Sequence, residues 1–334
     1  MKARNCFPVM LFVVFLLMFS FACKSDSGKT TNIVLADDSW DSLMFHNALG
    51  KLVIENAYDN YKVSLSTASS AMVWLSLKNN DVDVHLETWS DLLPTYEADI
   101  KDGSIINIGV VVEDSIQGIY VPRYVVEGDP SRGIAPMAPG LKRVEDIVKY
   151  PHIFPDDENP SMGRFYGSIP GWTADIYVYR RFERLGLEGK FNYVRLGSEA
   201  ALFMSLVSAY NLGESWVGYC YEPTWIVGKL DLIRLEDVPY EPEGYEEGLT
   251  GFSTQALYIS CSSQFPKKAP ELLEFLKKFR TGSTRLSEAL SYIDDTKCSH
   301  DDAAVWMLKT NDYMIDEWLP AANAKKLRDY LSKK

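Results

Sequence analysis

The chain has 334 residues, of which 46% are hydrophobic, and its formal net charge is −12. This length and composition are sufficient for the core of one large or two medium domains. The acidic balance argues against nucleic acid as a partner, because phosphates repel an acidic surface and nucleic-acid-binding proteins present clustered Lys and Arg.

The N-terminus has the pattern of a signal peptide. Lys2 and Arg4 give a positive start, and residues 9–21 form an apolar run that is too short for a stable membrane-spanning helix. We therefore predict a signal peptide over residues 1–22 and an exported protein.

Cys23 follows small residues and precedes a polar, linker-like stretch, as at the cleavage site of a lipoprotein. We predict that Cys23 is acylated and that residues 23–31 form the lipidated N-terminus and a linker. Ser20 stands where such sites prefer an aliphatic residue, so cleavage without acylation is the alternative. We expect the mature protein to be extracytoplasmic, in the periplasm or at the cell surface. Acyl chains on Cys23 are the only membrane anchor expected.

Beyond the linker, apolar runs alternate with helical patterns, which predicts an α/β fold. The first set of elements is strand, helix, strand, helix and strand, at residues 32–36, 42–58, 61–66, 69–78 and 82–87. The second set is an extended segment, a helix, a strand and a helix, at residues 116–126, 173–187, 191–196 and 198–210. A strand at 255–260 and helices from residue 270 onward complete the prediction.

These sets predict two lobes with a cleft between them, the usual place for a small ligand. The first lobe is expected to cover residues 32–115, with the C-terminal residues 256–334 packing back on it. The second lobe is expected to cover residues 116–255. Such lobes close by hinge motion.

Large aromatic residues lie in turns beside the predicted strands. Trp40 and Trp89 follow the first and third strands, Trp172 precedes a helix for which Thr173 is a fair N-cap, and Tyr221 follows another predicted strand. Open α/β sheets bind ligands at the carboxyl ends of their strands. Local packing is the better explanation for any one ring alone, but four in such positions favour a ligand site.

A shell of ring faces suits a cation that has no N–H donor. A trimethylammonium group is such a cation, and each ring contributes about 0.5 to 2 kcal/mol of attraction to it. Free backbone N–H groups at the start of the helix at Thr173 are able to hold a carboxylate, aided by the helix dipole. The two ends of glycine betaine are then accounted for.

Four segments, in order, resemble the glycine betaine and proline betaine binding proteins of ABC importers (the OpuAC/ProX-like family). The similarity covers most of the mature chain. The segments are Ser39-Trp40-Asp41-Ser42, Glu87-Thr88-Trp89-Ser90-Asp91, Pro170-Gly171-Trp172 and Tyr221-Glu222-Pro223-Thr224-Trp225. The resemblance implies a two-lobed periplasmic-binding-protein fold of type II. It also implies an extracytoplasmic receptor for osmoprotectant uptake, which delivers its ligand to a permease with ATPase subunits.

The resemblance further implies which residues bind the ligand. Trp40, Trp89, Trp172 and Tyr221 box the quaternary ammonium group, and the backbone amides of Thr173 and Ala174 hold the carboxylate. Tyr221 departs from the family, which commonly has Trp at this place.

Two alternative functions remain open at this stage. A choline or carnitine receptor of the same class needs a carboxylate in the box for cationic choline, and Asp41, Glu222 and Asp175 are candidates. A secreted enzyme acting on a betaine or choline derivative is less favoured, because the chain lacks HExxH and GxSxG motifs. No metal and no cofactor are expected.

Several residues are assigned outside the site. Trp74 is assigned to helix packing and Trp216 to a strand. Cys220, Cys261 and Cys298 form either one disulfide and a free thiol or three buried thiols. No histidine is assigned to the site, so ligand affinity is expected to change little where histidine titrates.

Overall fold

The structure is a computed structural model that describes residues 30–334, so the predicted signal peptide and Cys23 lie outside the described residues. Nine strands occur within this range: β1 (Thr31–Asp37), β2 (Tyr61–Thr67), β3 (Val84–Thr88), β4 (Ile105–Pro122), β5 (Gly163–Tyr166), β6 (Phe191–Val194), β7 (Gly218–Glu222), β8 (Leu232–Arg234) and β9 (Gln255–Ser262).

Helices pack against these strands. Over residues 30–334 they are α1 (Asp41–Ala57), α2 (Ser70–Lys78), α3 (Tyr96–Asp102), α4 (Arg123–Glu127), α5 (Thr173–Arg184), α6 (Glu199–Leu212), α7 (Trp225–Lys229), α8 (Pro242–Tyr245), α9 (Phe265–Lys268), α10 (Pro270–Leu276), α11 (Gly282–Thr296), α12 (His300–Thr310), α13 (Tyr313–Trp318) and α14 (Ala321–Leu331). The predicted α/β class is confirmed.

The strands follow the order β2-β1-β3-β9-β4-β7-β5-β6, and β8 pairs with β4. The long strand β4 belongs to two sheets. Its residues up to Ser115 pair with β9, and its residues from Ile116 onward pair with β7. We call the part built on β1, β2, β3 and β9 the first lobe, and the part built on β5, β6, β7 and β8 the second lobe.

Helix α1 lies in the middle of the first lobe and is buried over most of its surface. It packs on β2 and β3, and it is covered on its other side by α12 and α14 from the C-terminal segment. This double covering explains why its polar residues His46 and Asn47 are buried as well. The C-terminal segment also reaches the second lobe, since α11 packs on α7 and Lys229 Nζ lies 2.8 Å from Asp295 Oδ1.

Two local predictions are wrong. Residues 123–126 are helical in α4 rather than extended, because Pro122, which lacks an N–H group for the ladder, ends β4 and caps α4. Trp216 precedes β7 instead of lying in a strand, and its ring stacks on Tyr166 at 5.3 Å.

The three cysteines in the described range are free thiols. Cys220 and Cys261 are buried, and Cys298 is partly exposed. Within residues 30–334, no helix combines the length and the apolar character that crossing a membrane requires.

Candidate ligand-binding site

Four aromatic side chains meet between the two lobes. Trp40 directly precedes α1, and Trp89 directly follows β3, so both come from the first lobe. Trp172 precedes α5 and Tyr221 lies within β7, so both come from the second lobe. The sequence predicted that Tyr221 follows a strand, whereas the structure places it within β7.

Neighbouring rings among the four stand nearly perpendicular to each other. The ring centroids of Trp40 and Trp172 are 5.7 Å apart at 84°, and those of Trp89 and Tyr221 are 5.7 Å apart at 87°. Trp172 and Tyr221 meet at 6.0 Å and 81°. All four side chains are buried. Since such edge-to-face pairs keep each other in place, the rings form a rigid wall.

The indole N–H groups of the wall are all engaged. The fully buried Glu87 accepts from Trp40 Nε1 at 2.8 Å and from Trp89 Nε1 at 3.3 Å, through the same oxygen, Oε1. Trp172 Nε1 donates to the carbonyl oxygen of Asp38 at 3.0 Å. The polar edges of the rings are thus satisfied by protein, and the ring faces are left for other contacts.

Glu87 is itself held by two further donors and was not predicted from the sequence as part of the site. Ser42 Oγ donates to Oε1 at 2.7 Å, and His46 Nδ1 lies 2.6 Å from Oε2. Glu87 lies in β3 and Ser42 and His46 lie in α1, so strand and helix jointly position the two rings of the first lobe.

The rings line a cavity with about 510 Å³ of empty space, part of it open to solvent. All six residues predicted for the site lie around it. Its complete lining is Asp38, Trp40, Ser70, Trp74, His85, Thr88, Trp89, Leu92, Leu93, Trp172, Thr173, Ala174, Tyr219 and Tyr221. His85 also borders the cavity, although no histidine was assigned to the site. Trp74 packs on Tyr96 within its lobe, as expected, and borders the cavity as well.

The wall of the cavity is acidic and aromatic. No Lys or Arg among the described residues lines it, and Asp38 is the carboxylate that does. The predicted candidates Asp41, Glu222 and Asp175 do not line it. Asp175 accepts from Tyr193 and Arg195, and Glu222 accepts from the Tyr120 hydroxyl at 2.8 Å, because each faces its own lobe.

Helix α5 points its N-terminus at the cavity. Trp172 is its N-cap residue, so the predicted N-cap Thr173 is instead the first helical residue. Asp175 N donates to Trp172 O at 3.1 Å, while the N–H groups of Thr173 and Ala174 have no acceptor within residues 30–334. Unpaired N–H groups in the first turn of a helix are ready donors for an anion.

A second buried carboxylate joins the lobes behind the rings. Glu199, the first residue of α6, accepts from the Tyr221 hydroxyl at 2.6 Å and from Asp41 N at 2.7 Å. Burial, together with the charge of Asp41, raises the pKa of Glu199 from 4.5 to about 8. The sequence offered no signal for Glu199, because its partners lie far away along the chain.

Main-chain contacts also cross between the lobes. Ser70 N donates to Gly171 O at 3.1 Å, beside the bond from Trp172 Nε1 to Asp38 O. Together with the bond between Glu199 and Asp41, these contacts define a closed arrangement of the lobes over the cavity.

Two α/β lobes that share one strand and close over a ring-lined cavity define a substrate-binding protein. The family model described as the substrate binding domain of ABC-type glycine betaine transport systems matches residues 31–310, and the chain belongs to this family. The predicted resemblance is confirmed. The family consists of extracytoplasmic solute-binding proteins that serve a membrane permease.

Relatives and solved structures share most of the chain. The trimethylamine N-oxide-binding protein of Pelagibacter ubique (strain HTCC1062) is 23% identical over 299 residues, which are 87% of this chain and 92% of that protein. A glycine betaine, L-proline ABC transporter binding protein from Borrelia burgdorferi has a TM-score of 0.71 at 15% identity, over 89% of this chain and 99% of its own.

A third comparison is an ABC-transporter choline-binding protein solved in complex with choline. Its TM-score is 0.71 at 19% identity, and the match covers 90% of this chain and 98% of that one. At these identities the two solved structures establish the two-lobed fold, which was predicted.

Proposed function

We propose that the protein captures a small trimethylammonium compound in the ring-lined cavity and delivers it to an ABC permease. The observation that carries this proposal is the set of four rings, which come from both lobes and make three near-perpendicular contacts between neighbours, around a cavity without Lys or Arg in its described lining. Ring faces attract a methylated cation by about 0.5 to 2 kcal/mol each.

The ligands named for the compared proteins support the same class. Trimethylamine N-oxide, glycine betaine and choline, which appear in those names, each carry three methyl groups on a positively charged nitrogen. Their other ends differ, being an oxide oxygen, a carboxylate and a hydroxyl. The trimethylammonium end is therefore the feature that we assign to Trp40, Trp89, Trp172 and Tyr221.

The anionic end of a betaine is assigned to α5. The unpaired N–H groups of Thr173 and Ala174 border the cavity and suit a carboxylate. Glycine betaine thereby remains a ligand of the proposed class, with choline and carnitine as alternatives.

The proposed site of action is outside the cytoplasm, with the mature protein anchored through an acylated Cys23. The signal-peptide pattern ahead of Cys23 supports this, and metabolic labelling with a fatty acid tests it. A Cys23→Ala variant is expected to lose the label and to be released from the membrane. Retention of the label in this variant would contradict acylation at Cys23.

Intrinsic fluorescence tests the ligand class. The folded mature protein is titrated with glycine betaine, proline betaine, carnitine and choline, because rings at the site report occupancy. A saturable response to at least one is expected, confirmed by calorimetry. The absence of any response from a protein with an intact thermal unfolding transition would refute the aromatic box.

The same samples separate a receptor from an enzyme. After long incubation, proton NMR of the ligand is expected to show it unchanged, because a binding protein returns what it binds. Progressive consumption of the ligand would instead support the alternative of a secreted enzyme.

A further inference from the structure

Asp38 is a buried carboxylate in the wall of the ring-lined cavity. Its side chain is 1% exposed, and the residue directly follows β1 at the carboxyl end of the strand. Oδ2 lies 2.9 Å from His85 Nε2. Oδ1 is buried too, but it has no hydrogen-bond partner within residues 30–334. Such a group costs free energy until a donor reaches it.

His85 leaves the charge of Asp38 uncompensated. Glu87 N donates to His85 Nδ1 at 3.2 Å, so Nδ1 is an acceptor and Nε2 carries the proton that is given to Asp38. A histidine with one donor and one acceptor nitrogen is neutral. Its ring also lies beside Trp40, with centroids 6.1 Å apart.

The surroundings add negative charge rather than positive charge. Glu87 lies behind Trp40 and Trp89, and no Lys or Arg of the described residues lines the cavity. A ligand that places an acceptor or a carboxylate against Asp38 meets repulsion. A cationic ligand with a hydrogen-bond donor close to its nitrogen finds in Asp38 both a negative charge for the cation and an acceptor for the donor.

We propose that Asp38 is a specificity-determining residue, which accepts a hydrogen bond from the ligand and selects a quaternary ammonium alcohol of the choline type over a betaine. This inference rests on the proposed function, since it presupposes that the rings hold a trimethylammonium group. The hydroxyl of the alcohol supplies the donor that Oδ1 lacks, and the ammonium group balances the charge.

Binding measurements with matched ligands test the proposal. Choline is compared with ethyltrimethylammonium, which has the same cation and chain but no hydroxyl, and with glycine betaine and trimethylamine N-oxide. Because a hydrogen bond to a charged group is strong, choline is expected to bind the wild-type protein about 10- to 100-fold more tightly than ethyltrimethylammonium. Glycine betaine and trimethylamine N-oxide are expected to bind more weakly than choline.

Variants at Asp38 assign the effect to this carboxylate. Asp38→Ala is expected to bring the affinities for choline and ethyltrimethylammonium within about threefold of each other. Asp38→Asn keeps the size and an acceptor for His85 but removes the charge, so the preference for choline over glycine betaine is expected to shrink. Asp114→Asn, at an exposed position, is the control and is expected to behave like the wild type.

The outcomes separate this inference from the proposed function. Tighter wild-type binding of glycine betaine or trimethylamine N-oxide than of choline would overturn the role of Asp38 and leave the trimethylammonium site standing. An unchanged ratio of choline to ethyltrimethylammonium in a folded Asp38→Ala protein would do the same. Failure of all four ligands to bind the wild type would overturn both. If a variant fails to fold, the relative affinities of the wild-type protein for the four ligands test the proposal without it.

Discussion

Trp89 and Trp172 are the rings on which a direct test of the site rests, because they come from different lobes and both contact Tyr221. We expect Trp89→Ala and Trp172→Ala each to weaken binding of choline or betaine at least about tenfold, since each removes a ring face and opens the wall. Isothermal titration calorimetry measures this. Trp306→Ala is the control, because Trp306 stacks on Tyr292 away from the cavity.

Wild-type affinity in either ring variant would contradict the assignment of that ring. An equal loss in Trp306→Ala would show that the effect is general rather than local.

Glu87 is expected to matter for stability as well as for binding. Its removal leaves two indole N–H groups, the Ser42 hydroxyl and His46 without their buried acceptor. We expect Glu87→Ala to lower the free energy of unfolding by about 3 to 5 kcal/mol, as for other broken buried pairs. Urea unfolding followed by circular dichroism measures the loss.

The matched control for Glu87 is Glu188→Ala, because Glu188 is exposed. Its unfolding free energy is expected to stay within about 0.5 kcal/mol of the wild type. A Glu87→Ala protein as stable as this control would contradict the structural role of Glu87.

The rings could be predicted from the sequence, whereas the charged groups around them could not. Trp40 and Trp89 follow strands, and a large ring in a turn is conspicuous in any chain. Asp38, Glu87 and Glu199 are three acidic residues among 46 Asp and Glu, and their environment depends on contacts with residues distant in sequence. The bond between Glu199 and Asp41 spans 158 positions, beyond the reach of any local pattern.

At the scale of elements, the N–H groups in the first turn of α5 are expected to strengthen the binding of ligands that carry a carboxylate. Thr173→Pro removes one N–H group at the first helical position, where Pro is tolerated. Trp172 already has φ −80° and ψ 141°, a conformation compatible with a following Pro. We expect glycine betaine to lose about tenfold in affinity and choline to change less than threefold.

Calorimetry with both ligands tests this expectation. Thr173→Ala keeps the N–H group and serves as the control, so it is expected to bind glycine betaine like the wild type. Equal losses for choline and glycine betaine in Thr173→Pro would mean that the substitution disturbs Trp172 instead of removing a donor.

Most elements follow from local periodicity, but the sheet order does not. The patterns of apolar residues predicted β1, α1, β2 and α2 to within a residue or two, because burial on a sheet imposes them directly. The insertion of β9 between β3 and β4 brings together strands more than 130 positions apart. No periodicity encodes such a pairing, and the continuity of β4 across both sheets is equally non-local.

At the scale of the whole molecule, closure of the lobes buries Glu199 against Asp41. Its pKa is raised from the ordinary 4.5 to about 8 in this arrangement, and we expect opening to expose Glu199 and return its pKa toward 4.5, so that the open form releases a proton that the closed form holds. Closure is therefore fully favoured below pH 4.5, and it weakens as the pH rises toward 8. The charges of Asp41 and Glu87 both oppose the ionisation of Glu199. Asp41 also lies near a histidine, since His300 Nε2 is 3.3 Å from Asp41 Oδ1.

We accordingly expect ligand binding to take up one proton between pH 4.5 and pH 8, and affinity to fall by at most about tenfold per pH unit in this window. This replaces the expectation of a flat pH profile drawn from the sequence. Calorimetry in buffers of different ionisation enthalpy measures the uptake. Glu199→Gln is expected to abolish it, and an unchanged proton uptake in this variant would exclude Glu199 as the source.

The contact between Ser70 N and Gly171 O has a consequence for how such a protein changes over generations. It joins the lobes through main-chain atoms, so substitutions of the neighbouring side chains leave it intact. Residues that determine ligand specificity are therefore able to change during evolution while the two lobes continue to close on each other. New preferences are reachable by exchanging single cavity residues such as Asp38, which makes the chain a convenient scaffold for sensors of other methylated cations.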